Sequence, residues 1–138
     1  MRKLITILAA VVAVGCTSNS HIDMQPVDVY GWSRPVSIIY DNTSTEQLRT
    51  IAVALRYNNS FDTDTLSVEV HTSLPDVHQC KERVVLNFKR DYHASAVTAS
   101  ESIVYRYNCA LNQRGSYIFT ITPCREVKGV EAVGIEIK

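Results

Sequence analysis

The sequence predicts an all-β protein built on an antiparallel β-sandwich of about seven strands, of the jelly-roll or immunoglobulin-like type. Apolar and polar residues alternate with period two in seven short stretches. Turn-forming residues, mostly Asn, Asp, Pro and Gly, separate these stretches. Beyond the first 15 residues, no window of 10 or more residues repeats with the helical period of 3.6.

Length and charge fit a single domain that does not bind nucleic acid. The chain has 138 residues, of which 46% are hydrophobic and 20% are charged, a globular composition. Lys and Arg together number 14, as do Asp and Glu. Loss of Arg2 and Lys3 with the leader described next would leave a net charge of −2. Nucleic-acid binding needs a clustered basic excess instead.

Residues 1–15 are typical of a lipoprotein signal peptide. Arg2 and Lys3 form a short basic start, and residues 4–14 are apolar except for Thr6. These 11 residues are too few to span a bilayer core, which needs about 20 residues in a helix. We therefore expect residues 1–15 to be removed on export rather than kept as a membrane-spanning helix.

The stretch Ala13-Val14-Gly15-Cys16 resembles the lipobox of bacterial lipoproteins, in which the cysteine becomes the N-terminus and carries acyl chains. The commonest lipobox has Leu where this chain has Ala13. Several acyl chains, at roughly 0.8 kcal/mol per buried CH₂, would hold the protein on a membrane permanently. The alternative is an ordinary secreted protein in which Cys16 is incidental.

The residue after Cys16 bears on the choice of membrane. It is Thr17 rather than Asp, and by resemblance to known lipoprotein sorting rules this implies the outer membrane. No clear signal for surface export follows, so the periplasmic face is expected. Residues 16–27 are polar and predict a lipidated tether that leads into a β-sandwich domain at residues 28–138.

Each of the seven alternating stretches gives its predicted strand one apolar face. Such strands are stable when two sheets pack face to face, and a small closed barrel is the alternative arrangement. Trp32 is expected to fix the segment before the first strand onto the sandwich. The predicted strands contain residues 36–40, 51–57, 66–70, 84–88, 103–107, 117–121 and 133–137. Two apolar sets should be buried: Tyr117, Phe119 and Ile121, and Val133, Ile135 and Ile137.

The sequence contains no convincing catalytic or metal-binding constellation. It lacks the Gly-x-Ser-x-Gly nucleophile motif. Asp76, His78 and Cys80 supply one tight ligand pair, whereas a structural zinc site normally has two. Asp62 and Asp64 resemble the start of a calcium loop but lack its Gly and distal Glu. We expect no enzymatic activity, no metal and no cofactor other than the covalent lipid. The histidines are dispersed: His21, His71, His78 and His93.

Several parts of the chain resemble the gliding motility lipoprotein family GldH. Trp32 precedes an alternating strand near the mature N-terminus, and residues 115–121 are similar to the family's late Gly-x-Tyr-x-Phe strand. Residues 129–138 resemble its closing pattern of Gly-Val followed by Val-Gly, and the lipobox and size agree. Residues 58–100 match only in strand pattern, and Pro123-Cys124-Arg125 departs from the family.

The resemblance implies an outer-membrane-associated lipoprotein of gliding bacteria or of their non-gliding relatives. In gliding bacteria the family supports the motility machinery that works with the type IX secretion system. The family brings no catalytic residues. The first hypothesis is therefore a non-enzymatic, lipid-anchored sandwich that contributes a protein-binding surface to an envelope assembly.

The second hypothesis is a periplasmic or surface glycan-binding module. Tyr30, Trp32 and Tyr92 are the aromatic residues expected outside the core. An exposed aromatic pair beside a groove would favour glycan binding. An exposed apolar patch or a bare sheet edge would favour an envelope protein as the partner.

Export would place three cysteines in an oxidising compartment, where one disulfide is expected. If residues 101–109 and 115–122 form a hairpin, Cys109 and Cys124 lie on the order of 30 Å apart, whereas a disulfide needs Cα atoms within about 7 Å. Cys80 and Cys109 would instead share one end of the sandwich. We therefore expect a Cys80–Cys109 disulfide with Cys124 free and buried, and the alternative is that all three are reduced.

Overall fold

The computed structural model describes residues 20–89 and 98–138. The described residues form eight strands. No helix in these two ranges has the length and apolar character needed to cross a membrane. The strands are β1 His21–Pro26, β2 Val36–Asn42, β3 Leu48–Asn58, β4 Thr65–Ser73, β5 Gln79–Asn87, β6 Thr98–Ala110, β7 Gly115–Pro123 and β8 Val130–Ile137.

Two four-stranded antiparallel sheets pack against each other. The first sheet has the order β1-β8-β3-β6 and the second has the order β2-β7-β4-β5. The seven strands predicted from alternation correspond to β2 through β8, so the prediction of an all-β antiparallel sandwich is confirmed. The alternative of one closed sheet is wrong, because each sheet ends in two unpaired edge strands within the described residues.

The eighth strand, β1, lies inside the segment predicted to be a tether, so that prediction is wrong for residues 21–26. β1 pairs with β8 from His21 opposite Ile137 to Pro26 opposite Ala132. His21 shares the face of the buried Ile137, and its ring packs on Tyr40 of the other sheet at 5.3 Å. The strand was missed because polar residues occupy the face that an ordinary strand fills with apolar ones.

The core between the sheets contains the residues that alternation placed there. All six predicted residues of β7 and β8 are at most 3% exposed, which confirms the register of both strands. Trp32 is 2% exposed and forms a bridge with Val127 through N–O contacts of 2.8 and 3.0 Å. Its indole N–H donates to the Arg34 carbonyl at 2.8 Å. The expected role of Trp32 in fixing the first connection onto the sandwich is therefore confirmed.

The register defines two ends of the sandwich. β1 begins where β8 ends, because His21 pairs with Ile137, and Ile51 near the start of β3 pairs with the same residue. We call this the His21 end, and the opposite end the Trp32 end. The His21 end holds the connections 43–47, 74–78 and 111–114. The Trp32 end holds the connections 27–35, 59–64 and 124–129.

Candidate functional site

Cys16, the predicted lipidation site, lies outside the described residues, as does the predicted signal peptide at residues 1–15. β1 begins at His21, five residues after Cys16 in the sequence. Three features of the described surface remain as candidates for function. They are a groove at the Trp32 end, a cavity between the edges of the two sheets, and a set of exposed apolar side chains.

The groove at the Trp32 end has a volume of about 640 Å³ and is formed by the connection between β1 and β2 together with Glu126. Tyr30 lies on its lining and is 83% exposed. The Tyr30 backbone N–H donates to the Asp28 carboxylate at 3.0 Å, which orders this part of the wall. Trp32 also lines the groove, but its burial in the core leaves little of the ring to stack on a ligand.

Backbone contacts between the connections hold the wall of this groove. Gly129 donates its N–H to the Val29 carbonyl at 2.8 Å and accepts from the Asn58 N–H at 2.8 Å. Its φ of +83° lies in the left-handed region, and a side chain there would collide with the backbone of Phe61. The groove is therefore shaped by residues far apart in sequence.

Glycan binding was expected to need an exposed pair of aromatic residues beside a groove, and this groove has one of the two. Tyr30 is exposed beside it, but the second expected aromatic, Trp32, is buried. Tyr92 lies outside the described residues. Within the residues that the structure describes, no pair of exposed aromatic side chains lines the groove.

A smaller cavity of about 230 Å³ lies where the edge strands β5 and β6 of the two sheets approach each other. Its lining includes the apolar core residues Ile51 and Phe119, and also both Cys80 and Cys109. Both thiols are unbonded, with Cys80 exposed and Cys109 half-buried.

An ion pair links the two edge strands beside the cavity. The Arg106 guanidinium of β6 donates from Nε to the Glu82 carboxylate of β5 at 3.2 Å, and its second nitrogen also contacts Glu82. Tyr105 is an extra residue of β6, because Ile51 pairs with Arg106 while its neighbour Ala52 pairs with Val104. Burial raises the pKa of Tyr105 far above its usual range, with the Glu82 carboxylate as a second cause, so the phenol stays protonated.

The assumption behind the predicted disulfide is partly wrong. β6 and β7 do not form a hairpin, because they belong to different sheets. Their connection nevertheless lies at the His21 end, so Cys109 and Cys124 remain at opposite ends of the sandwich, while Cys80 and Cys109 line one cavity. The bond itself stays a prediction.

Cys124 was expected to be buried, and this prediction is wrong. The inward face of β7 ends with the buried Pro123, so alternation turns the next residue outward. Its backbone N–H donates to the Ser67 carbonyl at 2.9 Å, while the thiol lies in a surface hollow with Arg83 and Arg125.

The described histidines take part in separate local contacts. His78 pairs with Asp76 at 2.8 Å, and His71 contacts Gln79 at 2.9 Å. A hydrogen bond from the His78 side chain lowers the pKa of Asp76. In the described ranges, no three His, Cys, Asp or Glu side chains lie close enough together to hold a metal. His93 lies outside those ranges.

Exposed apolar residues lie on the second sheet and at both ends of the sandwich. Ile39 of β2 and Ile118 of β7 pair directly opposite each other, and both are exposed on the outer face of the second sheet. β2 is also an edge strand, and no other described strand pairs with its outer backbone next to this pair. The other exposed large hydrophobic residues are Ile22, Tyr30, Leu48, Val77, Val85 and Tyr107.

The residues that carry the family resemblance take structural positions in this fold. Trp32 lies in the core, Gly115 starts β7 with a φ of +122°, and Gly134 of β8 lies against the backbone of β1. They therefore define the sandwich rather than a reactive site. No protein-family model matches the chain, and no curated protein matches it.

Proposed function

We propose that this protein is a non-enzymatic lipoprotein, similar to the gliding motility GldH family, that is anchored through Cys16 to the periplasmic face of the outer membrane. Its sandwich would offer a protein-binding surface to an envelope assembly. One observation carries the proposal. The basic start, the apolar run and Gly15-Cys16 are followed after only four residues by a folded strand, β1.

Among the sandwich types we propose the jelly roll. Its eight strands form two sheets of four through two Greek keys. The orders β1-β8-β3-β6 and β2-β7-β4-β5 support this choice, because the chain crosses between sheets at most of its connections. Among the eight described strands, β4 and β5 are the one consecutive pair that lies within a single sheet.

The anchor is tested by the change Cys16→Ala. The acyl chains would be the only strong attachment, so the variant should move from the membrane pellet to the soluble fraction. Cys124→Ala is the matched control, because Cys124 is an exposed cysteine 108 positions after Cys16 in the sequence. A Cys16→Ala protein that still pellets after a salt wash would overturn the proposed anchor.

The protein-binding surface is supported by the Ile39–Ile118 pair on the edge strand β2 and its neighbour β7. Cross-linking in intact envelopes, followed by purification of the lipidated protein, should recover one protein partner. Ile39→Asp and Ile118→Asp should abolish that recovery, whereas Val85→Asp, on the opposite edge strand of the same sheet, should not. Recovery of no protein partner would contradict the proposal.

Glycan binding is the second candidate, and the exposed ring of Tyr30 on the lining of the 640 Å³ groove favours it. Under this alternative, the purified protein should bind envelope polysaccharide and Tyr30→Ala should remove the binding. Equal binding by the wild type and by Tyr30→Ala would exclude this groove as the site.

A further inference from the structure

The His21 end exposes three apolar side chains on three different segments. Val77 is 83% exposed at the tip of the turn between β4 and β5, Leu48 is 63% exposed at the start of β3, and Ile22 is 53% exposed in β1. The described fold covers none of the three. Isolated apolar residues are common on surfaces, so a functional interpretation needs further support.

Val77 supplies the first support, because its backbone adopts a conformation that valine disfavours. Its φ is +66°, in the left-handed region that β-branched residues avoid and that Gly or Asn normally fills. The turn is closed by the Val77 N–H donating to the Leu74 carbonyl at 3.0 Å and by the Leu74 N–H donating to the His78 carbonyl at 2.8 Å. The turn therefore holds an apolar side chain out of the fold at a position that suits a glycine.

The second support is the length of chain between Cys16 and the sandwich. Five residue steps separate Cys16 from His21. Fully extended, they span at most about 18 Å at roughly 3.6 Å per residue. A lipid on Cys16 would therefore keep the His21 end near the bilayer and the Trp32 end away from it.

We propose that the His21 end rests on the bilayer that holds the anchor, with Val77 and Leu48 inserted at the boundary between headgroups and acyl chains. This inference rests on the proposed lipidation of Cys16. The exposed apolar side chains of the His21 end are thus proposed to contact a lipid surface. A protein partner bound to these side chains would contradict the proposal.

The charges at this end indicate that the contact is apolar rather than electrostatic. Arg114 is exposed on the connection between β6 and β7, where it suits a lipid phosphate. Lys138 follows β8 at the same end but pairs with Glu136 at 3.0 Å. Glu46 and Asp76 lie on the other connections of this end and offset Arg114. A contact of a few side chains is weak by itself, so it orients the domain while the acyl chains retain it.

The test uses the lipidated full-length protein in vesicles of phosphatidylethanolamine with a minority of phosphatidylglycerol. A photoreactive leucine analogue replaces Val77 or Leu48, and labelled acyl chains report cross-links to lipid. The controls carry the same analogue at Val85 or Tyr30, which are also exposed but lie away from the His21 end. We expect several-fold more lipid adduct from positions 77 and 48 than from positions 85 and 30.

Two results would overturn the inference. Lipid adducts at position 77 no more abundant than at position 85 would refute the orientation while leaving the anchor intact. Absence of acyl mass on Cys16 would instead remove the anchor, and the inference with it, so the two failures are distinguishable.

A separate variant tests whether Val77 serves stability. Asn tolerates the left-handed region, so Val77→Asn should melt at the same temperature as the wild type or higher. Backbone amides of residues 74–78 should gain hydrogen-exchange protection on vesicles in the wild type and lose that gain in Val77→Asn. A lower melting temperature for Val77→Asn would show that the valine stabilises the fold, which contradicts a role in lipid contact.

Discussion

Oxidation of Cys80 and Cys109 should join the two sheets at the edge where β5 and β6 approach each other. Both thiols line the same cavity, and the Glu82–Arg106 ion pair holds their strands together beside it. In the reaction each thiol loses a proton, and a disulfide oxidant takes the two electrons and becomes a dithiol. The new S–S bond would close a loop from β5 through β6.

The chain length of this loop sets the expected magnitude. Positions 80 to 109 enclose 30 residues. In the chain-entropy model, closing a loop of about 30 residues contributes roughly 3.6 kcal/mol to the free energy of unfolding. For a domain of this size the melting temperature should rise by on the order of 10 °C. Cys80→Ser, Cys109→Ser and the double variant should each lose the same increment, because any of them removes the whole bond.

Peptide mapping without reductant, on protein purified from intact envelopes, identifies the pairing. Cys124→Ser is the control, because that thiol lies at the other end of the sandwich and should affect neither the bond nor the melting temperature. A bond that includes Cys124 would refute the strand arrangement used here. Three free thiols in protein from an oxidising compartment would refute the proximity of Cys80 and Cys109.

Three further changes test the core, a carboxylate and a turn. Phe119→Ala should lower the free energy of unfolding by about 3–5 kcal/mol in a urea titration, because Phe119 is 1% exposed. A loss below about 1 kcal/mol would contradict its full burial. Partial burial alone would raise the pKa of Glu136, but hydrogen bonds from Ser102 and Lys138 outweigh it and lower the pKa below 4.5. The ionised form therefore stabilises the fold above pH 4.5, and this stabilisation is lost as the pH falls through the folded-state pKa. Near pH 7 the melting temperature of Glu136→Gln should be lower than that of the wild type, and in acid the two melting temperatures should converge. Gly129→Ala should unfold at lower denaturant concentration, since φ is +83° there, and an unchanged midpoint would contradict the left-handed turn.

Alternation of apolar and polar residues predicted the strands that bury an apolar face. It failed for the strand whose inward-facing residues are polar. β7 and β8 were predictable because their inward residues are apolar at every second position, as Phe119 and Ile135 show. β1 was not, because His21 faces inward at the margin of the sandwich while Ile22 faces solvent. β1 is an edge strand that is held by its backbone pairing with β8 rather than by an apolar face. The sequence of residues 21–26 does not reveal that backbone pairing.

The candidate sites depend on contacts that local patterns do not encode. Alternation shows that a strand is half-buried but not which sheet it joins, so β6 and β7 were wrongly predicted to pair. The extra residue Tyr105 and the positive φ of Asn108 also break the alternation of β6 before Cys109. The groove at the Trp32 end is likewise lined by residues such as Tyr30 and Glu126, which are 96 positions apart in the sequence.

The orientation that a lipid on Cys16 would impose separates the two proposed functions by their distance from the membrane. β3 runs along the sandwich for 11 residues, from the His21 end to the Trp32 end. At roughly 3.3 Å per residue it spans about 36 Å. A ligand in the Tyr30 groove would thus lie on the order of 30 Å from a bilayer on which the His21 end rests with β3 upright. Ile118 of β7 pairs with Ile39 of β2 on one side and with Ser73 of β4 on the other. Ser73 is the last residue of β4, at the His21 end, so the apolar pair lies in the half of the sandwich nearer the proposed bilayer. A protein bound to the Ile39–Ile118 pair would lie close to the membrane, which suits a partner embedded in the same envelope layer. A soluble glycan would instead bind at the opposite end, in the Tyr30 groove.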